Sequence, residues 1–293
     1  MWGLRTRWSA FGGPDRRSPG KAIMDDHAID LSILIHEPED VYHAKGRECL
    51  GSHGLADFRK CPLLYHKDCL GLIAKPDRQA YFIGRATHCR ILEGLDEFAR
   101  RYLVSDGPVN KTTGKPFKSD SQAYQNWADA QGKPIISTKH EVLIDNMAVG
   151  VAMNERAVDL IVDGIAEGVV RTDYCGMPCQ IRIDWLNPGR GIVDLKTCDD
   201  IDYFLADGRR YGYAYQMAFY RSVLAAATGV VVPVHFIAVE KKEPYRAGVF
   251  PVLTELLDGC ARENAAAIER LKECRRLGVW PTGYEEVRVF DAI

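Results

Sequence analysis

The chain has 293 residues, a formal net charge of −2 and 46% hydrophobic residues. This length allows one large domain or two small domains with a sizeable core, and the composition is ordinary for a globular protein. The sequence has no run of about 18 apolar residues, so we predict no membrane-spanning helix. The small net charge gives no global sign of nucleic-acid binding, but a neutral total can contain a basic groove.

The N-terminal segment differs from the rest of the chain. Residues 1–24 are rich in Arg, Gly and Pro and lack the apolar segment of a secretory signal, so we predict a disordered tail. Met24 offers an alternative start of translation. We predict that residues 25–293 form a single domain, with a core over about 50–252 and a C-terminal helix over 253–278.

Nine cysteines are scattered along the chain without a regular spacing, which indicates reduced thiols in a cytosolic protein. Cys175 and Cys179 lie close together in the segment CGMPC, but no second pair has the spacing that a structural zinc site requires. The segments on either side resemble strands, so we interpret Gly176-Met177-Pro178 as a hairpin turn.

Hydrophobic periodicity and turn residues divide the remaining chain into helices and strands. The predicted helices cover residues 55–69, 79–93, 120–131, 139–163, 200–228 and 253–277. The predicted strands cover residues 164–172, 178–186, 191–197, 231–241 and 245–252. After the first helices, the chain contains three strands, a helix, two strands and a final helix. This order predicts an α/β fold with a mixed central sheet flanked by helices.

The segment GIVDLKT, residues 191–197, has the character of a buried strand but contains an acid and a base. Side chains two positions apart lie on the same face of a strand, so we expect Asp194 beside Lys196, with Val193 and Leu195 on the opposite face. Taken alone, such a pair is more often a solvated ion pair on an edge strand than a catalytic pair.

A second acid lies one hairpin earlier, because Asp184 is near the end of the predicted strand 178–186. Neighbouring strands lie about 5 Å apart, so Asp184 and Asp194 can converge on one point. Two carboxylates at one point repel each other unless a cation lies between them, and Mg²⁺ or Mn²⁺ suits such oxygen ligands. Lys196 beside them can hold a water or offset charge on a phosphate oxygen, which predicts metal-assisted phosphodiester hydrolysis.

The helix that follows this strand carries two polar side chains on one face. Gln216 and Tyr220 are four residues apart in YAYQMAFYRS, between apolar neighbours. An ordinary amphipathic helix has the same pattern, so this feature gains meaning only together with the acids and the lysine.

The order Asp, then Asp-x-Lys, then a helix with Gln-x-x-x-Tyr resembles the PD-(D/E)xK nuclease superfamily in its RecB-like branch. The segment GRATHCRILEG, residues 84–94, resembles a segment of the RecE-like (exonuclease VIII) family in which a helix brings a histidine to the metal site. Residues 160–168 and 179–197 also resemble that family. The likeness covers about residues 50–240, without the polar segment 105–134, and implies a restriction-endonuclease-like core.

The resemblance implies a metal site and a catalytic lysine. Asp184, Asp194 and His88 would bind Mg²⁺ or Mn²⁺, with the backbone carbonyl of Leu195 as a further ligand. Lys196 would position or activate the attacking water.

The resemblance also implies residues that support the site or contact DNA. Gln216 and Tyr220 would support the site or touch the DNA backbone, and Arg182, on the face of Asp184, would reach a phosphate. Some members of the RecB-like branch hold an iron–sulfur cluster, but only Cys260 and Cys274 follow the core here, far apart, so we predict no cluster.

The family implies a magnesium-dependent exonuclease that degrades linear double-stranded DNA from 5′ ends. The 3′ single strands would serve an annealing partner in phage-type recombination, in the cytoplasm of a bacterial or phage-infected cell. We expect a homo-oligomer by analogy with ring-shaped processive enzymes. Two alternatives remain open, namely an endonuclease or single-strand repair nuclease of the same fold, and a non-catalytic DNA-binding protein that keeps the fold.

Overall fold

A computed structural model of the chain describes residues 29–74 and 79–289, so the predicted N-terminal tail lies outside the described residues. The helices are α1 (Glu39–Ala44), α2 (Ser52–Lys60), α3 (Pro62–Cys69), α4 (Gln79–His88), α5 (Leu95–Arg101), α6 (Gln122–Gln131), α7 (Thr138–Ala152), α8 (Glu155–Ile161), α9 (Phe204–Tyr211), α10 (Tyr213–Thr228) and α11 (Thr254–Leu277). The strands are β1 (Leu103–Val104), β2 (Ile135–Ile136), β3 (Ile165–Tyr174), β4 (Met177–Asn187), β5 (Gly191–Cys198), β6 (Val234–Glu240) and β7 (Ala247–Pro251).

The five strands β3 to β7 form one mixed sheet in chain order. Strands β5 and β6 are parallel, because α9 and α10 cross over between them, and the other neighbours are antiparallel. Strands β1 and β2 form a separate parallel pair. The predicted mixed sheet flanked by helices is confirmed.

Helices cover both faces of this sheet and enclose two cores. The first core lies between the sheet and helices α2, α10 and α11, and includes Ile181, Ile183, Leu186, Ile192, Phe219 and Leu271. The second core lies between the sheet and helices α4, α7 and α8, and includes Ile144, Met147, Trp185, Val193, Leu195 and Ile237.

Three predicted helices are each divided into two, and the predicted helix 200–228 becomes α9 and α10 on either side of Gly212. Cys61 has an extended backbone, as the residue before Pro62 prefers, so the predicted helix 55–69 becomes α2 and α3. The predicted helix 139–163 ends at Ala152, and Asn154 begins α8 by accepting the N–H groups of Arg156 and Ala157. The helix predicted near 120–131 is α6.

The CGMPC segment forms the hairpin between β3 and β4. Cys175 and Gly176 both have positive φ, 50° and 69°, as a two-residue turn of type I′ requires. Tyr174 and Met177 close the turn, so it begins one residue earlier than predicted. Cys179 is buried in the first core.

Within residues 29–74 and 79–289, no helix combines the length and the apolar character that a membrane span needs.

Candidate active site

Strands β4 and β5 separate at the predicted acids. Their pairing ends at Trp185 and Val193, so Asp184 and Asp194 occupy the next position in register without a backbone bridge. The carboxylate of Asp184 accepts the N–H of Leu195 at 2.9 Å instead. Ile183 packs in the first core and Trp185 in the second, which shows that the alternation of β4 slips at Asp184. The fold therefore opens the sheet at this point.

Glu167 on β3 lies opposite Asp184 and was absent from the predicted site. The pairs on either side, Ala166 with Trp185 and Gly168 with Ile183, place Glu167 and Asp184 in the same register position. Glu167 has φ of 56°, a left-handed conformation that is uncommon for residues other than glycine. Such backbones concentrate at functional sites, and this one lies at the opening between the strands.

His88 reaches the opening from the end of α4, just before a π-helical turn over Cys89–Glu93. Its Nδ1 lies 3.4 Å from Oδ2 of Asp184, the carboxylate that also accepts the N–H of Leu195. One ligand atom each from His88, Glu167 and Asp184 lie within 4.8 Å of one another. The structure thus brings together the predicted His88, Asp184 and Leu195, and adds Glu167.

Asp194 and Lys196 lie side by side, as the strand period predicts. The buried carboxylate of Asp194 forms an ion pair with Nζ of Lys196, and both side chains are largely enclosed. Val193 and Leu195 point into the second core. Asp194 does not belong to the group of His88, Glu167 and Asp184, because its oxygen faces Lys196.

Burial raises the pKa of each of the three carboxyl groups at the opening. Burial and then the charge of Asp184 raise the pKa of Glu167 to about 8. Burial also raises the pKa of Asp184, and it raises that of Asp194 to about 6 against the attraction of Lys196. Repulsion from the charge of Asp184 adds to the effect of burial at Glu167 and at Asp194.

The pKa of His88 shifts in the opposite direction, downwards. Burial and then Lys196 lower the pKa of His88 to about 4, so its imidazole is neutral at pH 7 with a lone pair available. A neutral imidazole and clustered carboxylates suit a divalent cation with room for water. The residues present therefore fit a metal, with His88, Glu167 and Asp184 as the donors that lie closest together.

Arg182 is held by acids. Its Nε lies 2.9 Å from Oε2 of Glu167 and its Nη1 lies 3.9 Å from Oε2 of Glu39, with 13% of the side chain exposed. The guanidinium forms an ion pair with Glu167 and so steadies that side chain. Its predicted contact with a DNA phosphate stays a prediction.

Gln216 and Tyr220 meet on α10 as their spacing predicts. Nε2 of Gln216 donates to the hydroxyl of Tyr220 at 3.5 Å. Burial, followed by nearby acids that include Asp184 and Asp194, holds the pKa of Tyr220 well above 10. Tyr220 is therefore a neutral hydroxyl behind the acids, and its role in catalysis stays a prediction.

Lys196 has two further neighbours that the sequence patterns did not single out. Its Nζ lies 5.2 Å from the centre of the Tyr213 ring. Burial and then the charge of Lys196 lower the pKa of His53. Both residues lie on helices that pack along the first core, α10 and α2.

Comparison with solved structures gives a fold neighbour. A crystal structure described as "Putative exonuclease" from Eubacterium rectale matches with a TM-score of 0.61 and 15% identity, over 88% of this chain and 97% of that chain. At this identity the likeness shows a shared fold. LHK-Exo in complex with dAMP matches with a TM-score of 0.29 and 14% identity, over 69% of this chain and 98% of that chain, and carries no weight here. No curated protein matches the sequence.

The family comparison covers most of the chain. Residues 52–292 match the family model described as a PDDEXK-like domain of unknown function, DUF3799. The matched region contains His88, Glu167, Asp184, Asp194 and Lys196, and it agrees with the mixed sheet and with the resemblance in sequence. The chain therefore belongs to the family of PDDEXK-like domains of unknown function.

Proposed function

We propose that the protein is a metal-dependent deoxyribonuclease, and that it acts as an exonuclease on linear double-stranded DNA. The observation that carries this proposal is the position of Lys196, which is paired with Asp194 directly beside the group of His88, Glu167 and Asp184. A lysine next to a site suited to a divalent cation can serve phosphodiester hydrolysis, because both stabilise the negative charge that develops on the phosphate.

Each group at the opening has a chemical role in this proposal. His88, Glu167 and Asp184 would hold Mg²⁺ or Mn²⁺, and Asp194 is a further candidate ligand, with the Leu195 carbonyl as predicted from the resemblance. When bound, such a cation polarises the phosphate and lowers the pKa of a coordinated water.

Lys196 acts on the charge that develops during the reaction. Asp194 fixes its ammonium at the opening, where it can orient the attacking water and offset negative charge on a phosphate oxygen. The transition state carries more negative charge than the ground state, so a fixed cation stabilises it selectively.

Three other residues support this arrangement. Arg182 holds Glu167 in place through an ion pair at 2.9 Å. Gln216 donates to Tyr220, and the Tyr220 hydroxyl can donate to a carboxylate or to the DNA backbone. These roles remain part of the proposal.

The finer features of the proposal rest on the resemblance to the RecE-like family. They are the use of Mg²⁺, degradation from 5′ ends, exposure of 3′ single strands for an annealing partner, a homo-oligomer, and a cytoplasmic location. The description of the Eubacterium rectale neighbour as a putative exonuclease agrees with the proposed exonuclease activity. We also propose that residues 25–293 act as one nuclease domain.

The experiment that tests this function uses three DNA substrates. Linear duplexes labelled at the 5′ or the 3′ end and a closed circle are incubated with the protein, with Mg²⁺, Mn²⁺ or EDTA. The Lys196→Ala variant serves as the inactive control. Metal-dependent release of the 5′ label as mononucleotide, with the circle intact, is the expected result.

Other results would identify a different function. Cutting of the circle would indicate an endonuclease, and release of the 3′ label first would reverse the proposed polarity. Metal-independent binding of DNA without cleavage would indicate a DNA-binding protein that keeps the fold.

A further inference from the structure

Two tyrosines stack at the junction between α9 and α10. Gly212 has φ of 72° and ends α9 in a left-handed conformation. The chain reverses there, and the rings of Tyr211 and Tyr213 come together with centroids 6.0 Å apart and an interplanar angle of 27°. We refer to these two rings as the tyrosine stack.

The inner end of the tyrosine stack belongs to the candidate active site. Tyr213 packs against Phe204 and Phe236, with centroids 6.0 Å and 5.8 Å away, so its ring is anchored in the fold. Nζ of Lys196 lies 5.2 Å from the same ring. Tyr213 therefore links the ammonium of Lys196 to the outer ring.

The outer end of the stack is open. Tyr211 is 60% exposed. The distance from Nζ of Lys196 to the Tyr213 ring and the distance between the two rings together place the Tyr211 ring within about 11 Å of Nζ. Stacked bases rise about 3.4 Å per step. The ring thus lies within about three base steps of a phosphate held beside Lys196.

Positive charge accompanies the open ring. The guanidinium of Arg210 lies 5.4 Å from the centre of the Tyr211 ring, and Arg209 and Arg210 are both exposed at the end of α9. An aromatic face with adjacent arginines is the combination that binds a base together with its phosphate. A single exposed tyrosine needs no explanation, but this ring continues a stack that begins at Lys196.

We propose that Tyr211 stacks a nucleobase of the strand being cut, close to the scissile phosphate, and that Arg210 holds a neighbouring phosphate. This proposal rests on the proposed nuclease function of the same site. A base can stack on Tyr211 only after it leaves its neighbour in the duplex, so the ring favours DNA whose end is frayed or single-stranded.

The test uses oligonucleotides that carry 2-aminopurine at successive positions from one end. Binding is measured by fluorescence in the presence of EDTA. EDTA removes divalent cations and so prevents cleavage, which allows Lys196 to be kept in the protein. Stacking on a tyrosine changes the fluorescence of the probe only at the position that reaches Tyr211. The wild-type protein is compared with Tyr211→Phe and Tyr211→Ala, each checked by its thermal unfolding temperature.

A matched control comes from another exposed tyrosine. Tyr284 is 74% exposed and has the guanidinium of Arg288 4.2 Å from its ring centre, but it is outside the tyrosine stack. Tyr284→Ala removes a similar ring and a similar arginine contact, so it should leave both the fluorescence change and the affinity within twofold of wild type.

We expect Tyr211→Phe to keep the position-specific signal and Tyr211→Ala to lose it, with binding weaker by about tenfold or more. An unchanged signal and affinity in Tyr211→Ala would overturn the stacking proposal. Metal-dependent cleavage by the wild type, measured on the same oligonucleotides, separates the two proposals. If the wild type cleaves DNA but Tyr211→Ala keeps the fluorescence change and the affinity, only the stacking proposal is contradicted. If Tyr211→Ala loses them but the wild type does not cleave DNA, only the nuclease function is contradicted.

Discussion

Two glutamates on the central sheet have pKa values that are shifted in opposite directions. Glu240 at the end of β6 is fully buried, and Arg246 holds its pKa at about 2. Glu167 on β3 is partly buried, and burial with the charge of Asp184 raises its pKa to about 8. The fold gives Glu240 its partners, with two hydrogen bonds of 2.8 Å from Arg246 and one of 2.9 Å from the N–H of Ile201.

The opposite pKa shifts distinguish Glu240, which stabilises the fold, from Glu167, which is a candidate ligand for a cation. Glu240 accepts hydrogen bonds from fixed donors and needs nothing more. Glu167 meets Asp184 and His88, and among residues 29–74 and 79–289 it forms an ion pair with Arg182 at 2.9 Å. A partly buried acid that lies against a further acid and shares its arginine with Glu39 is a candidate for function, because a bound cation would offset the crowded negative charge.

The largest expected effect concerns Lys196. Lys196→Ala should lower the cleavage rate on the order of 10³-fold, because the ammonium that offsets transition-state charge is lost. DNA affinity should change little. Single-turnover cleavage and a binding titration measure the two quantities, and Lys241→Ala, which breaks an ion pair with Asp199 elsewhere, is the control. Retained cleavage would remove the catalytic role of Lys196.

The second effect concerns metal binding. Asp184→Asn keeps an oxygen for the N–H of Leu195 but removes a charged ligand. A cation at about 100 times its Kd stabilises the native state by about 2.7 kcal/mol, and we expect this gain in the wild type but not in the variant. Thermal unfolding with and without Mn²⁺ measures it.

The outcome for Asp184→Asn would sharpen the contrast between the two glutamates. Glu240→Gln should keep the stabilisation by Mn²⁺, since Glu240 belongs to the fold. An equal response to metal in Asp184→Asn and the wild type would place the metal site elsewhere.

A third, smaller effect concerns stability alone. Glu240→Gln replaces one accepting oxygen with an NH2 group, which cannot accept from Arg246, and removes the negative charge. We therefore expect the free energy of unfolding to fall by about 2 kcal/mol. Urea denaturation measures this loss. Cleavage per folded molecule should stay at the wild-type level, and a variant as stable as the wild type would contradict the structural role of Glu240.

The smallest effect is the pH dependence of the difference in unfolding free energy between the wild type and Glu240→Gln. The pKa of Glu240 is lowered from 4.5 to about 2 in the folded protein. Its stabilising contribution is therefore present above pH 4.5 and is lost as the pH falls through about 2. The stability gap between the wild type and Glu240→Gln should narrow between about pH 5 and pH 3, and a gap that widens there would contradict the assigned pKa.

Much of the site could be predicted because its residues follow regular periods. The strand period of two placed Asp194 beside Lys196, and the helical spacing of four placed Gln216 beside Tyr220. His88 was identified only through the resemblance of its segment, since one histidine in a helix carries little information. Its position at the opening agrees with that expectation.

Glu167 was missed because its backbone leaves the regular pattern. A left-handed residue in a strand cannot be read from alternation. A signal existed nonetheless, because a turn at Cys175 and Gly176 fixes the register of β3 and β4 and puts Glu167 opposite Asp184. The divided helices show the same limit, since Pro62 and Asn154 act locally within stretches whose apolar period continues.

The bond between Asp184 and the N–H of Leu195 affects which variant suits structural work on a DNA complex. An inert protein is needed to trap uncut substrate. Asp184→Ala would leave a strand amide without its acceptor and would loosen the sheet at the place where the substrate binds. Lys196→Ala leaves the backbone of β4 and β5 intact, so it is the better variant for capturing the complex.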